Sequence, residues 1–447
     1  MKILLVRPKP HWNTIGLQSI MICEPLELEY LAAAVNGKHQ VHLVDMILEK
    51  KSLAYLVKKH QPDVVALTAY ISHVNIIKDY AKIIKAINPH IKIMVGGVHA
   101  EVVPQDFVDY NIDFIITGNG IQVFCQLVDD IEGGCYQEQK GTLVIGEKVA
   151  RIPAIYPDRT ITAPYRSKYY YVYHNPCALI KTSYGCPYTC SFCFCRQVTQ
   201  DKYYERDITD VVREIKGINE PEIYIVDDNF LFSKKRIEQF CDLLEQEGIS
   251  KKFLVYGRAD FIAGNEKSIA RFAKLGLRAV IVGLETAKED ELELYNKKTS
   301  KAVNEKAIEI LAKYNIDCYG TLILGIDWEV GDFEYLYQWL KKWDLRFINL
   351  QPFTPLPGTP LYDQYKDRLI IPREQYQEWD LANLVVRPSK MSVRKYYFNI
   401  LKIYFKLTLN PRSLRKNLQY GLLTNLKLSL GVSRITWQYI WKIIKGN

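Results

Sequence analysis

The sequence predicts an α/β protein in which an N-terminal doubly wound parallel sheet precedes a partial (β/α)6 barrel and a C-terminal helical segment. In the first 135 residues, short apolar runs alternate with amphipathic helical patterns, which is typical of parallel sheets covered on both faces. Six further strand–helix units follow, as in a partial barrel. We therefore divide the chain into a sheet domain (1–135), a linker (136–175), a barrel (176–371) and a C-terminal region (372–447).

The N-terminal sheet has five predicted strands: Lys2–Val6, Val41–Val44, Val64–Thr68, Ile91–Val95 and Phe114–Thr117. Such sheets bind ligands at the carboxyl ends of their strands, and glycine there lets backbone approach closely. The residues at these ends are Thr68, Tyr70, Gly96, Gly97, His99, Gly118 and Gly120. The sequence has neither a G-x-G-x-x-G motif nor a P-loop, which disfavours dinucleotide and simple nucleoside-triphosphate binding.

The barrel strands are predicted at Ala178–Thr182, Glu222–Val226, Phe253–Tyr256, Ala279–Gly283, Asp317–Leu324 and Phe347–Gln351. Barrels of this kind place their chemistry at the carboxyl ends of the strands. A group of cysteines follows the first strand directly. We therefore expect that group at the mouth of the barrel.

Cys186, Cys190 and Cys193 form a C-x-x-x-C-x-x-C motif, with Cys195 close behind. The chain has ten cysteines and no secretion signal, which argues against a disulfide framework. Three thiolates on one loop can each bind one iron of a [4Fe–4S] cubane and leave the fourth iron open to a small molecule. No second C-x-x-C or pair of histidines lies near enough for a structural zinc site. We interpret Cys195 as a spare thiol, because it follows Cys193 too closely to bind another corner.

The cysteine loop resembles that of radical S-adenosylmethionine (SAM) enzymes. The resemblance continues at the strand ends and covers about residues 1–390, in the segments Asp227-Asp228-Asn229-Phe230, Gly257-Arg258-Ala259-Asp260, Val282-Gly283-Leu284-Glu285, Gly320–Gly325 and Thr354–Pro360. It implies that a reduced cluster on the three cysteines cleaves SAM to a 5′-deoxyadenosyl radical. An external electron donor such as a flavodoxin or ferredoxin would supply the electron.

The N-terminal part resembles the cobalamin-binding domain of the methylating branch, on Pro25–Ala32 and Gly96–Ala100. Gly118-Asn119-Gly120-Ile121 departs from the Gly-Glu-Gly-Glu stretch of many members, and the Asp-x-His-x-x-Gly lower-ligand motif is absent, as is usual there. The resemblance implies cobalamin as a third cofactor, held at the strand-end residues named above. His73 is either near the lower cobalt face or a solvated loop histidine.

Four barrel residues are candidates for SAM contact: Phe192, Asp228, Arg258 and Glu285. Arg258 suits a bidentate clamp on the SAM carboxylate, and its alternative is an ion pair with Asp227 or Asp228. Glu285 suits the SAM ribose or amine, and its alternative is a helix cap. Phe192 is expected to pack on the cluster or on adenine. No separate catalytic side chain is assigned.

The C-terminal region is helical, aromatic and basic. The net charge of the chain is +9, yet residues 381–447 contain thirteen Lys and Arg and no Asp or Glu. A polar stripe (Lys395, Asn399, Lys402 and Lys406) and a later apolar stripe (Trp437, Ile440, Trp441 and Ile444) suit an interfacial helix on anionic lipid. The alternative is a cap packed on the barrel, and nucleic acid ranks third because phosphate binding needs less apolar surface.

The segment from Glu378 to Leu381 and the basic helix after it also resemble hopanoid methylases. We therefore predict a cobalamin-dependent radical SAM methyltransferase for an unactivated carbon of a lipid-like or other hydrophobic substrate. The alternatives are a radical SAM cyclase, oxidase or carbon–carbon coupling enzyme, and a membrane-docked cobalamin or cluster sensor. No apolar run of eighteen residues and no signal peptide is present, so we expect a cytoplasmic protein with peripheral contact to the inner face of the membrane.

Overall fold

A computed structural model describes residues 1–136, 142–146, 155–199, 202–409 and 420–446. Its N-terminal sheet has six parallel strands in the order β3-β1-β4-β5-β6-β7. The strands are β1 (Lys2–Arg7), β3 (Gln40–Asp45), β4 (Val64–Thr68), β5 (Lys92–Gly96), β6 (Phe114–Thr117) and β7 (Thr142–Ile145). The helices are α1 (Leu26–Val35), α2 (Leu53–His60), α3 (Val74–Ile87), α4 (Val98–Val102) and α5 (Gly120–Glu132).

This arrangement confirms the predicted doubly wound sheet. The apolar strands are buried on both faces: every residue of β4 is buried, and β1 is buried from Ile3 to Val6. The strand order reverses between β1 and β4, the point at which such sheets bind ligands. The sixth strand, β7, lies within the range that we assign to the linker, so the boundary at residue 135 precedes the last strand of the sheet.

The second sheet is the predicted partial barrel, with parallel strands in the order β16-β15-β14-β13-β12-β9. They are β9 (Cys177–Ile180), β12 (Glu222–Ile225), β13 (Lys252–Gly257), β14 (Leu277–Glu285), β15 (Asp317–Leu324) and β16 (Phe347–Pro352). The helices around it are α6 (Cys195–Thr199), α7 (Ile208–Gly217), α8 (Lys234–Gln246), α9 (Ala259–Gly264), α10 (Glu266–Lys274), α11 (Glu289–Leu294), α12 (Lys301–Lys313) and α13 (Val330–Lys342). Within the described ranges, β9 and β16 are edge strands, and the side between them is open.

Two short antiparallel ladders lie outside the two main sheets. β2 (Met21–Ile22) pairs with β8 (Tyr170–Tyr171), and β10 (Ser183–Tyr184) pairs with β11 (Tyr204–Glu205). The first ladder ties the N-terminal domain to the segment that enters the barrel. The predicted linker thus includes a paired strand at Tyr170 and Tyr171.

α14 (Pro360–Tyr365) follows the last barrel strand, and the described part of the C-terminal region contains two long helices, α15 (Val393–Thr408) and α16 (Leu422–Lys445). α15 packs on the barrel, where the Tyr396 hydroxyl donates to the Leu324 carbonyl oxygen at 2.9 Å. The predicted polar stripe on α15 is wrong at Asn399, which is buried and donates its amide to the Lys395 carbonyl oxygen at 2.9 Å. The packing of α15 between α13 and α16 covers that position.

No helix in the described parts of the chain is both long enough and apolar enough to cross a bilayer.

Candidate active site

Cys186, Cys190 and Cys193 lie on the loop between β10 and α6, at the carboxyl rim of the barrel. The loop follows β9, whose last residue Ile180 is in register with Ile225 at the end of β12. Cys190 is buried, and the other two thiols are half-buried. The fold therefore brings the predicted cluster loop to the rim where barrel chemistry takes place.

The turn after α11 holds this loop in place. The backbone N–H of Ser191 donates to the Tyr295 carbonyl oxygen at 3.1 Å, and the Asn296 side-chain amide donates to the Thr189 carbonyl oxygen at 2.8 Å. Sequence reasoning missed this turn, because more than a hundred residues separate it from the loop. The turn has the polar composition of any turn that ends a helix, so nothing in its sequence indicates a contact with the cysteine loop.

The thiols of the loop interact with one another and with two nearby cations. Burial raises the pKa of Cys190, and the charges of Lys297 and Arg258 oppose that rise. A hydrogen bond from the Cys195 thiol lowers the pKa of Cys193. Cys195 Sγ also lies 3.6 Å from Asp228 Oδ1, so the thiol proton of Cys195 can be donated to either Cys193 or Asp228. The thiol interpreted as spare is thus placed beside a predicted ligand.

Two aspartates at the end of β12 fix the start of the loop. Asp227 is buried and accepts hydrogen bonds from the backbone N–H groups of Thr182 and Ser183 at 2.6 and 3.0 Å and from both of their hydroxyls. Asp228 accepts from the backbone N–H of Gly185 at 3.0 Å. Asp227 is therefore fully engaged within the protein, whereas Asp228 keeps an exposed side at the rim.

Arg258, at the end of β13, lies against the cysteine loop. Its guanidinium carbon is 3.6 Å from the Tyr188 ring centroid, which is a close cation–π contact. It donates to Asp260 at 3.1 Å and to the Lys297 carbonyl oxygen at 2.7 Å. The alternative ion pair with Asp227 or Asp228 is wrong, because Asp260, two residues further on in the same motif, takes that place.

Glu285 ends β14 with a backbone φ of +59°, a left-handed conformation that is rare for a residue with a side chain. Its Oε1 lies 2.5 Å from Nζ of Lys297, and both side chains are buried. Lys297 was not among the predicted site residues. Strained backbone and a buried ion pair at one rim position are features that cluster at functional sites.

Phe192 stands between two of the predicted ligands. Its ring meets that of Tyr295 edge to face, with centroids 5.6 Å apart, and it packs against the barrel core. The predicted contact with the cluster or adenine stays a prediction.

The strand-end residues of the N-terminal sheet share one edge, as predicted. Thr68 is buried and donates its hydroxyl to Glu27 at 3.0 Å. A Cβ on Gly97 would lie 2.6 Å from the Ala69 backbone nitrogen, and one on Gly118 would collide with the Gly146 carbonyl oxygen. These two glycines are therefore required by backbone packing within the sheet edge. Gly120 differs, since a Cβ there would meet open space.

The histidines of this edge are both buried. His99 Nε2 lies 2.8 Å from Asp106, which also pairs with Arg373 at 2.7 Å, so His99 helps to attach the N-terminal domain to the C-terminal region. His73 is only 6% exposed, and the solvated-loop interpretation of it is wrong. Its Nδ1 accepts from the backbone N–H of Tyr70 at 3.5 Å, while the Tyr70 side chain is about half exposed.

The two candidate cofactor sites meet. α4, which follows β5 of the N-terminal sheet, contacts α6, which follows the cysteine loop. Gln197 of α6 donates to the Gly358 carbonyl oxygen at 2.6 Å, and a Cβ on Gly358 would lie 2.7 Å from Val102 Cγ1 of α4. The carboxyl edge of the sheet and the rim of the barrel therefore face the same region.

The donor set fits a [4Fe–4S] cluster, since it consists of three cysteines on one loop. Within the described residues, no three His, Cys, Asp or Glu side chains converge as bound metal requires, so the thiols would have to turn toward a common centre. Asn229, in the same turn as Asp228, is buried, and neither polar atom of its amide has a hydrogen-bond partner among the described residues. An orphaned buried amide at the rim suits a polar ligand such as SAM.

Two family models match the chain in the same order as the two sheets. The B12 binding domain matches residues 13–128, and the Radical SAM superfamily matches residues 180–340. These matches confirm the cofactor predictions at the level of the family.

Characterised relatives match over most of their lengths. Hopanoid C-3 methylase of Methylococcus capsulatus is 27% identical over 415 residues, covering 90% of this chain and 79% of the relative. Anaerobic magnesium-protoporphyrin IX monomethyl ester cyclase of Cereibacter sphaeroides is 25% identical, covering 88% and 68%. The solved structure of the cobalamin-dependent SAM radical enzyme OxsB, with aqua-cobalamin and SAM bound, aligns with a TM-score of 0.70 at 14% identity over 96% of this chain and 72% of that one. The chain therefore carries a B12-binding domain ahead of a radical SAM domain, and it is homologous to hopanoid C-3 methylase and to cobalamin-dependent radical SAM methyltransferases.

Proposed function

We propose that this enzyme transfers a methyl group to an unactivated carbon of a hydrophobic, lipid-like substrate. The observation that carries the proposal is the contact between α4 and α6. It sets the ligand edge of the B12-binding domain against the cysteine loop of the barrel. Methyl transfer to a carbon radical needs both cofactors to reach one substrate, and this contact supplies that proximity.

The barrel residues have distinct roles in this proposal. Cys186, Cys190 and Cys193 hold the cluster, which together with SAM and cobalamin supplies the radical and the methyl group. Arg258 and Lys297 place two cations beside the loop, where a carboxylate such as that of SAM gains charge-assisted hydrogen bonds.

Asp228 and Glu285 remain the acidic candidates at the rim. The exposed side of Asp228 suits an ammonium group, and the strained backbone of Glu285 aims its carboxylate at Lys297. We propose that Lys297 positions Glu285, and that both contact SAM together with Phe192. On the sheet edge, we propose Thr68, Tyr70, Gly96, Gly97, His99, Gly118 and Gly120 as the residues that line the cobalamin site.

The four-part division of the chain is proposed with one change, in which the sheet domain extends beyond residue 135 to include β7, its last strand. Tyrosines line the barrel interior, where Tyr224 and Tyr319 are buried and Tyr171 is half-buried. Aromatic filling keeps bulk water out of the barrel, as a reactive radical requires.

A hydrophobic substrate is supported by the match to hopanoid C-3 methylase, whose name denotes a polycyclic lipid. The basic C-terminal region supports a cytoplasmic enzyme that meets this substrate at the inner face of a membrane. Reduction of the cluster by an external flavodoxin or ferredoxin completes the proposal.

A second candidate is radical chemistry without methyl transfer. The match to a magnesium-protoporphyrin cyclase and the departure at Gly118-Asn119-Gly120-Ile121 favour it. Its substrate would be a large tetrapyrrole, which is also hydrophobic.

Isotope transfer tests the proposal. The anaerobically reconstituted enzyme, with cobalamin and reductant, is incubated with SAM carrying a deuterated methyl group and with polyprenoid, hopanoid or tetrapyrrole acceptors. Mass spectrometry should find the label in a lipid-like product, with S-adenosylhomocysteine formed alongside 5′-deoxyadenosine. A product that gains no methyl group, with no S-adenosylhomocysteine, would exclude methyl transfer and favour the cyclase.

A further inference from the structure

The outer face of α16 carries a long row of exposed apolar side chains. Six large residues share one strip of the helix, because they recur at intervals of three, four and seven positions. They are Leu422, Leu426, Leu430, Trp437, Trp441 and Ile444. Their exposed fractions run from 45% at Trp441 to 79% at Leu422. Single exposed apolar residues are ordinary on a protein surface, but a continuous row marks an interaction site.

The opposite face fixes the orientation of this row. Tyr439 is buried against Tyr397 of α15, and Lys442 pairs with Glu378 at 2.8 Å. A Cβ on Gly431 would collide with the Ser19 carbonyl oxygen, so the helix lies directly against the N-terminal domain. The row is therefore the side of a firmly seated helix that points away from the protein.

α16 also lies along the open side of the barrel. Its neighbour α15 adjoins the edge strand β16, where the Tyr404 hydroxyl accepts from the Leu350 backbone N–H at 3.0 Å. On the other side, Asn425 accepts from the Tyr173 hydroxyl at 2.9 Å, on the segment that leads into the edge strand β9. α15 and α16 together thus span the space between the two edge strands.

The charged residues around the row indicate which kind of partner can bind to it. Lys427, Arg434 and Lys445 on α16 are exposed, and no acidic residue follows Asp380 in the sequence. A helix with tryptophans on its apolar face and cations beside it suits the boundary of an anionic bilayer. A cationic rim disfavours a second copy of the same face, because like charges would meet across it.

We propose that this row is a docking face for anionic lipid membranes and that it sets the open side of the barrel against the bilayer. The inference rests on the proposed hydrophobic substrate, which would then pass from the bilayer to the barrel without crossing water. The row inserts at the lipid boundary, and the three cations face the headgroups.

Vesicle binding tests the proposal with the full-length protein. Wild type should co-sediment with vesicles of phosphatidylcholine mixed with phosphatidylglycerol, and binding should weaken with added salt and with phosphatidylcholine alone. Tryptophan fluorescence should be quenched by brominated lipid.

Two pairs of substitutions locate the face. The W437S/W441S double variant should bind the anionic vesicles about tenfold more weakly, or weaker still, because two large apolar groups no longer enter the lipid. Y55S with V108S removes two similarly exposed apolar residues from the N-terminal domain and should leave binding unchanged. Both double variants should retain the wild-type circular dichroism spectrum and wild-type cleavage of SAM.

If wild type does not bind anionic vesicles, the proposed docking face is wrong. The labelled-methyl experiment would still decide the proposed function. The proposal is also wrong if wild type is a dimer that does not bind vesicles and the W437S/W441S double variant is a monomer. That result would assign the row to a second copy of the chain. Equal losses in the two double variants would also contradict the proposal.

Discussion

Nζ of Lys297 lies 2.5 Å from Oε1 of Glu285, and both side chains are buried at the rim that carries the cysteine loop. The same residue accepts a hydrogen bond from Arg258 through its carbonyl oxygen. Lys297 thus connects the turn after α11 with the ends of β13 and β14. The Lys297 side chain pairs with the carboxylate of Glu285, a residue whose backbone is strained. Replacing Lys297 should therefore affect both the stability of the fold and the binding of the cofactor.

Replacement of Lys297 by Met should lower the free energy of unfolding by about 3 kcal/mol, because the Glu285 carboxylate is left buried without its partner. The double variant with Lys297→Met and Glu285→Gln should recover a good part of that stability, because no unpaired carboxylate is then buried. Denaturant unfolding of the two single variants and the double variant measures the coupling. Additive losses would show that the ion pair has no energetic role.

The cysteines of the loop should differ in their effect on iron content. Cys190→Ala should lose most of the about four irons expected per chain, because a cubane needs three protein ligands. Cys195→Ser should keep its iron, since we assign Cys195 no bond to the cluster. Iron and sulfide analysis with electron paramagnetic resonance distinguishes the two variants. Loss of iron in Cys195→Ser would contradict this assignment and make Cys195 a ligand of the cluster.

His73 should make stability depend on pH in the acid range. Burial lowers the pKa of His73 to about 4, and the charge of Arg7 adds to the effect. The unfolded chain binds a proton near pH 6.5, so the stability from neutral His73 is present above that pH and is lost as the pH falls toward 4. The loss should approach about 3 kcal/mol between pH 7 and pH 4.

The comparison for this prediction is between His73→Asn and His90→Asn, since His90 is exposed on the same domain. Unfolding measured across this range should show a flatter pH dependence for His73→Asn and an unchanged one for His90→Asn. Identical curves for wild type and His73→Asn would mean that His73 is not buried in its neutral form.

Two glycines of the sheet edge should respond differently to a side chain. Gly97→Ala should lower the free energy of unfolding by about 2 kcal/mol, because φ there is +103° and the Cβ would press on Ala69. Gly120→Ala should leave stability nearly unchanged, since its Cβ meets open space. Thermal unfolding checks both. If Gly120→Ala nonetheless weakened cobalamin retention, that would place Gly120 in contact with the cofactor.

The strands were predictable because buried parallel strands read as apolar runs. Val64–Thr68 and Asp317–Leu324 are found with the same limits, and the cysteine loop follows β9 as expected. The partner of Glu285 was not predictable, because nothing local in the sequence connects Lys297 with a strand end twelve residues earlier. Likewise, the periodicity of α15 gave its polar face but not the neighbour that buries Asn399.

Anaerobic reconstitution tests most directly whether the cysteine loop is the site of radical chemistry. Wild type and the Cys186→Ala, Cys190→Ala, Cys193→Ala triple variant are each incubated with SAM, reductant and cobalamin. We predict 5′-deoxyadenosine from wild type alone, together with bound cobalamin, as read by mass spectrometry and absorbance. Equal 5′-deoxyadenosine from both proteins, or iron in neither, would contradict the assignment of these cysteines as the site of radical chemistry.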